Sequence, residues 1–173
     1  MGIRRILIPL DFSDDSLNAL KYACELARPL GAELLILYVL EPIYFATPAD
    51  VYATNTNLAM LMDEQRRVGS QQLARISAEL TKKGQRARTV LKTGSPAHVI
   101  VDTAKTARAD LIVMATHGRT GLAHLVMGSV AEKVVRTAAC PVLTVRPAAK
   151  RTRSRQKTGR PVGGESRLVR SSR

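Results

Sequence analysis

Cysteine is nearly absent from this chain: two residues in 173, Cys24 and Cys140, with no C-x-x-C pair. That excludes a disulfide framework and the common zinc and redox spacings, and it suits a reducing compartment, so a cytoplasmic location is expected. Cys24 shares a helical face with Leu20, Ala23 and Ala27, which predicts a buried thiol. No apolar run is long enough to cross a bilayer, and no signal-peptide core opens the chain, so no membrane role is expected. The G-K-[ST] triplet of a P-loop does not occur. After the first apolar run stands Pro9-Leu10-Asp11-Phe12-Ser13, where a dinucleotide-binding domain needs G-x-G-x-x-G. The third runs into Lys92-Thr93, where a phospho-acceptor receiver domain needs an aspartate. No paired carboxylates, Ser–His–Asp set or metal cluster points to a defined reaction. A dedicated enzymatic activity is therefore not expected.

Acidic residues are also scarce, 14 against 27 lysines and arginines. The imbalance is concentrated at the end of the chain. Residues 150–173 hold nine basic residues against Glu165, a net +8 of the total +13. That stretch is rich in Arg, Ser and Gly and almost free of large apolar residues. It cannot bury enough surface to offset its ordering entropy, and disorder is expected. The division expected is one domain over residues 1–147 and a basic tail over 148–173.

The body alternates strand and helix patterns. Ile3 to Leu10 is a nearly continuous apolar run, as in a parallel strand covered on both faces. Ser13 can cap a following helix, with Phe12 stapled onto Leu17. Leu17, Leu20, Ala23, Cys24 and Ala27 form its inner face, and Pro29 and Gly31 stop it. Leu34 to Val39 reads as a second buried strand. A long connection, Glu41 to Asn57, shows no clear periodicity. Leu61, Val68, Leu73, Ile76 and Leu80 then mark a helix ending at Gly84. Arg86 to Leu91 is a third strand, more polar and nearer an edge. Ser95 and Pro96 open a third helix with Val99, Ile100, Thr103 and Ala104 inward. Asp110 to Ala115, Val130 to Thr137 and Pro141 to Arg146 complete the series as strand, helix and strand. Such alternation predicts right-handed βαβ units in a doubly wound sheet. Ligands bind these folds at the carboxyl ends of the strands, where strand order reverses.

The most informative stretch is Met114-Ala115-Thr116-His117-Gly118-Arg119-Thr120-Gly121, followed by Gly128-Ser129. A buried strand empties into a glycine-bearing loop, and a further glycine opens a helix. The first amides of a helix have no partner within it, and the dipole there is positive. Glycines let a phosphate approach the backbone. The pattern is that of a phosphate site, although the same glycines would also serve a plain turn. Arg119 is placed to meet a phosphate in bidentate fashion, or to remain a solvated loop residue. Asp11 and Ser129 are open to a second reading as helix caps. His117 and His124 read as loop or surface polar residues, and Thr93 and Ser95 as turn-closing ones.

Three separated segments resemble the universal stress protein family: the opening I-L-I-P-L-D-F-S, G-S-P-A from Gly94, and the closing C-P-V-L-T-V-R-P. The loop resembles the family pattern G, two residues, G, nine residues, G, then Ser or Thr. Gly118, the nine residues Arg119 to Met127, and Gly128-Ser129 fit it, while Ala115 replaces the first glycine. The resemblance implies a five-stranded parallel sheet of order 3-2-1-4-5 with helices on both faces, an adenine nucleotide α-hydrolase-like fold. In ATP-binding members the positions matching Pro9, Leu10, Asp11 and Val39 lie by the nucleoside. Those matching Ala115, Gly118, Gly128, Ser129 and Val130 line the phosphates, and Met114 and Arg119 are counted with them as nucleotide-binding residues. Magnesium or manganese accompanies the triphosphate, and members pair as homodimers through the last strand, here Pro141 to Arg146. The function implied is a nucleotide-dependent stress-response regulator with at most slow ATP hydrolysis and an unknown protein partner. A different class stays open: a protein that binds polyanions or nucleic acid nonspecifically through its basic tail. The tail has no interleaved aromatics, so base stacking has no support there. An enzyme with a metabolic substrate is a third reading.

Overall fold

The computed structural model describes residues 2–42, 51–118 and 127–146, with backbone alone for 51–57. The elements follow in the order β1 (Arg5–Leu10), α1 (Asp14–Leu30), β2 (Glu33–Leu40), α2 (Val51–Lys82), β3 (Ala87–Thr93), α3 (Pro96–Thr106), β4 (Leu111–Ala115), α4 (Ser129–Thr137) and β5 (Val142–Val145). The five strands form one sheet of order β3-β2-β1-β4-β5. Every pairing is parallel, with Leu10 beside Tyr38, Ile6 beside Leu111 and Ala115 beside Val145. The fold class is the one the alternation predicts.

The apolar runs become central strands because both faces are covered. Ile6, Ile8, Leu10, Ile36, Tyr38, Val113 and Ala115 meet Ala19 and Ala23 of α1 and Leu73 and Leu80 of α2. On the opposite face Leu7, Leu35, Leu37, Ile112 and Met114 meet Ala97, Ile100 and Ala104 of α3 and Ala131 and Val134 of α4. Strand β1 lies between β2 and β4, so the strand order reverses between β1 and β4. In sheets of this kind a crevice forms outside the carboxyl ends at that point.

Several boundaries differ from the sequence reading for identifiable reasons. Helix α1 passes through Pro29 and ends only at Gly31, whose φ of 60° lets its N–H reach Ala27 and Arg28 carbonyls. Pro29 lies in the final turn, so the i→i−4 bond it removes is among the last of the helix. Helix α2 begins at Val51, so residues 51–57 of the expected connection are helical, and 43–50 fall outside the described residues. Its inward stripe is also displaced. Leu61 and Val68 are exposed, whereas Met62, Leu73, Ile76 and Leu80 pack against the sheet together with buried Gly69. Apolar counting misses that stripe because glycine occupies the tightest point: a Cβ on Gly69 would stand 2.5 Å from the Tyr38 ring. In α3, Ala97 is buried rather than Val99, which packs at the margin of the core. Ser95 precedes α3 without a capping side-chain bond. Cys24 is half-buried, and desolvation pushes its thiol pKa up.

The amino ends of the strands are tied by charge. Asp110 Oδ2 accepts the Arg4 and Arg5 amides, each at 2.8 Å, and those bonds hold its carboxyl below the usual range. Glu33 pairs with Arg5 at 2.9 Å and with Arg88 at 2.7 Å. This leaves the opposite end of the sheet as the open one.

Candidate functional site

Asp11 leaves β1 at the crevice and is held locally. Its Oδ1 accepts from the Ser13 amide at 3.0 Å and the Ser13 hydroxyl at 2.6 Å. Ser13 Oγ in turn accepts the Ser16 amide at 3.2 Å, so Ser13 is the cap of α1 and Asp11 supports it. Asp14 and Asp15 in the first turn complement the positive end of the helix. Between Asp11 and Ser13, Phe12 adopts a φ of 63°, a left-handed conformation that side chains rarely take.

The loop after β4 comes up against this carboxylate. A Cβ on Gly118 would lie 2.8 Å from Asp11 Oδ2, so a larger residue there would push the carboxylate aside. One residue earlier, His117 Nδ1 meets the Thr116 hydroxyl at 3.0 Å. Buried Thr116 also ties three elements together. Its amide donates to Val145 O at 3.0 Å, and its carbonyl accepts the Gly128 amide at 2.8 Å. That second bond pins the start of α4 beside the end of β4. Gly128 is the cap residue of α4, with φ −60° and ψ 147°, so its backbone would accept any residue. Glycine is favoured by approach instead: a Cβ would stand 3.2 Å from Thr116 O. Glu132 N donates to Gly128 O at 2.9 Å and closes the first turn. The amides of Ser129, Val130 and Ala131 precede that bond and have no acceptor within the helix. Ser129 is thus the first helical residue, not the cap.

The eleven predicted residues do not all contribute in the same way. Asp11, Gly118, Gly128, Ser129 and Val130 come together around the joined ends of β1, β4 and α4. Met114 and Val39 belong to the core on the α3 and α4 side, and Pro9 is half-buried at the end of β1. Leu10 and Ala115, 4% and 7% exposed, join the core beneath α1 instead. They can offer backbone atoms alone. The Ala115 methyl packs with that α1-side core, so the departure from glycine is absorbed there. Arg119, Thr120, Gly121 and His124 lie outside the described residues.

A cavity of about 540 Å³ opens on the α1 and α2 side of Asp11. Phe12, Ser13, Tyr38, Gly69 and Gln72 line it with Asp11. Phe12 and Tyr38 stack at 4.7 Å between ring centroids, tilted by 44°. Sequence reading gave Phe12 a staple role and Tyr38 none beyond its strand. Their proximity follows from register, since Tyr38 pairs with Leu10 across parallel strands. Among the described residues, no group of three or more His, Cys, Asp or Glu side chains could hold a metal ion. No described helix is long and apolar enough to cross a membrane.

Five parallel strands in this order, with a glycine-bearing loop meeting an aspartate at the switch point and a helix start bonded to that loop through Thr116, define a doubly wound α/β protein. The chain belongs to the universal stress protein family, whose description residues 2–146 match. Universal stress protein MJ0531 of Methanocaldococcus jannaschii is 38% identical over 144 residues, covering 83% of this chain and 82% of that protein. The solved universal stress protein UspA from Lactobacillus plantarum aligns with a TM-score of 0.75 at 28% identity, over 84% of this chain and 99% of that one. The Archaeoglobus fulgidus universal stress protein solved in complex with dAMP aligns with a TM-score of 0.59 at 25% identity, over 83% and 98%.

Proposed function

We propose that this protein binds ATP with magnesium or manganese in the crevice between β1, β4 and α4, and that occupancy governs its contact with a protein partner in a stress response. The reading is carried by one arrangement: Gly118 against Asp11, and Gly128 bonded to Thr116 at the amide end of α4. The amides of Ser129, Val130 and Ala131 would donate to phosphate oxygens, reinforced by the helix dipole. A carboxylate accepts hydrogen bonds and donates none, so Asp11 suits the hydroxyl or amino donors of a nucleoside. Val39 and Pro9, both half-buried, would supply the apolar wall on that side. No described cluster holds a cation by itself, so the metal would be carried largely by the triphosphate. A relative that binds dAMP supports the adenine nucleotide class. Hydrolysis that is slow at most belongs to the same reading.

Assembly belongs to the same proposal. Strand β5 pairs with β4 and leaves its other edge open among the described residues, with Leu143 exposed. An open, apolar edge invites pairing with a second copy. The experiment that tests the ligand is mass spectrometry of small molecules released from freshly purified protein. An adenine nucleotide near one per chain supports the reading, and a different metabolite at that stoichiometry overturns it.

A further inference from the structure

Phe12 carries a conformation that costs a non-glycine residue energy, and it stands between the two residues that organise the crevice. Strain of this kind persists where surrounding packing holds it. The holding contact is visible. The Phe12 ring lies 4.7 Å from Tyr38, and the Tyr38 ring rests on the backbone of α2 at Gly69. Tyr38 is 7% exposed, so it is a fixed platform and not a mobile cover. A line of contacts therefore runs from Gly69 through Tyr38 and Phe12 to Asp11, and from Asp11 to Gly118.

We propose that Phe12 is a positioning residue of the nucleotide site, with the Tyr38 ring, seated on Gly69, locking the left-handed turn that aims the Asp11 carboxylate at Gly118. The inference rests on the nucleotide reading above. Chemistry then specifies what the aim controls. Asp11 accepts hydrogen bonds, and a nucleotide offers such donors chiefly on its sugar hydroxyls. Phe12 thereby sets the preference for ribose over a sugar without hydroxyls, although its own ring faces the cavity on the other side of Asp11. The cavity beside the ring pair gives Phe12 room to swing away once the stack is broken.

The test measures thermal stability and equilibrium binding of ATP and 2′,3′-dideoxy-ATP, with magnesium, for the full chain and three variants. Wild type should prefer ATP by about tenfold, the scale of one hydrogen bond to a charged group. Phe12→Gly relieves the left-handed strain and deletes the ring. It should melt at or near the wild-type temperature, bind ATP about tenfold more weakly and show no preference between the two nucleotides. Phe12→Tyr keeps the ring and should keep the preference. Gly69→Ala approaches from the far end of the line: alanine favours the helix, yet its Cβ meets the Tyr38 ring, and the preference should fall although the site is untouched. It also serves if Phe12→Gly fails to fold. Phe12→Gly or Gly69→Ala that folds and discriminates like wild type overturns the proposal, as does a wild type that binds both nucleotides equally. No binding of either nucleotide by wild type overturns the nucleotide reading itself, which is a distinct result.

Discussion

Gly128→Val is the substitution whose consequence the crevice geometry defines most closely. The backbone at Gly128 is extended, with φ −60° and ψ 147°, so valine adopts it without strain. Its Cβ would come within 3.2 Å of Thr116 O and 3.8 Å of His117 Cα, which a shift of a few tenths of an ångström relieves. The folded state should therefore lose on the order of 1 kcal/mol, the centre of the range for single substitutions. The ligand has no such latitude. The two valine methyls would crowd the start of the helix, where the proposed site would seat phosphate oxygens on the Ser129 and Val130 amides. Each hydrogen bond to a charged group contributes about 1.5–3 kcal/mol, so losing one or two weakens ATP by about tenfold to several thousandfold. At an ATP concentration about a hundred times the wild-type dissociation constant, wild type gains about 2.7 kcal/mol. For a domain of this size that is a rise of roughly 5–11 °C in melting temperature. Thermal melts with and without ATP and magnesium should show that rise in wild type and little of it in Gly128→Val, with similar ligand-free melting temperatures. A variant that keeps the full ATP-dependent rise would refute the placement of the phosphates at the start of α4.

Ala115→Gly should cost stability, by roughly 1 kcal/mol, and leave ATP affinity within about twofold, because the methyl packs in the α1-side core; denaturant melts and a binding isotherm read the two effects, and a large gain in affinity would return the methyl to the ligand side. Asp110 is held ionised by two backbone amides, so its folded pKa lies below the unfolded value. Its contribution is complete at neutral pH and disappears as pH falls from about 4 through the depressed value. Asp110→Asn should lower stability by about 1–2 kcal/mol at pH 7 and by less at pH 3, as followed by urea unfolding at both; an equal loss at both pH values would contradict the assignment. Leu143→Lys on the open edge of β5 should convert a dimer into a monomer in sedimentation equilibrium at micromolar protein, and an unchanged mass would exclude that edge. Truncation after Pro147 should leave the melting temperature and ATP affinity nearly unchanged while abolishing salt-sensitive retention on heparin; a large fall in stability would mean that the tail docks on the domain.

The alternation of buried strands and amphipathic helices was legible because both faces of the sheet are covered. Runs such as Ile6-Leu7-Ile8 and Leu111-Ile112-Val113 have no other satisfactory place. The close backbone approaches at positions 118 and 128 were legible too, since glycine marks them independently of any partner. Helix α2 was less so. Its inward stripe runs through Gly69, a position that hydropathy scores as nothing, and Leu61 and Val68 drew the face about one residue off. The start of α2 carries Val51-Tyr52-Ala53-Thr54-Asn55, which offers no apolar repeat to read. Pro29 reads as a stop in the sequence, whereas the helix passes through it and turns only at Gly31. The Phe12–Tyr38 stack depends on strand register, which local sequence does not specify. The place of the Ala115 methyl in the α1-side core was not legible, because strand direction alone does not say which face a loop-adjacent residue takes.

Isothermal titration of the full-length protein, stripped of small molecules, with ATP in the presence of magnesium and then of manganese, tests the central claim most directly. Saturable binding near one ATP per chain, lost in Gly128→Val and kept after truncation at Pro147, is the predicted result. No measurable heat or saturation with either cation, from protein shown to be folded, would contradict it.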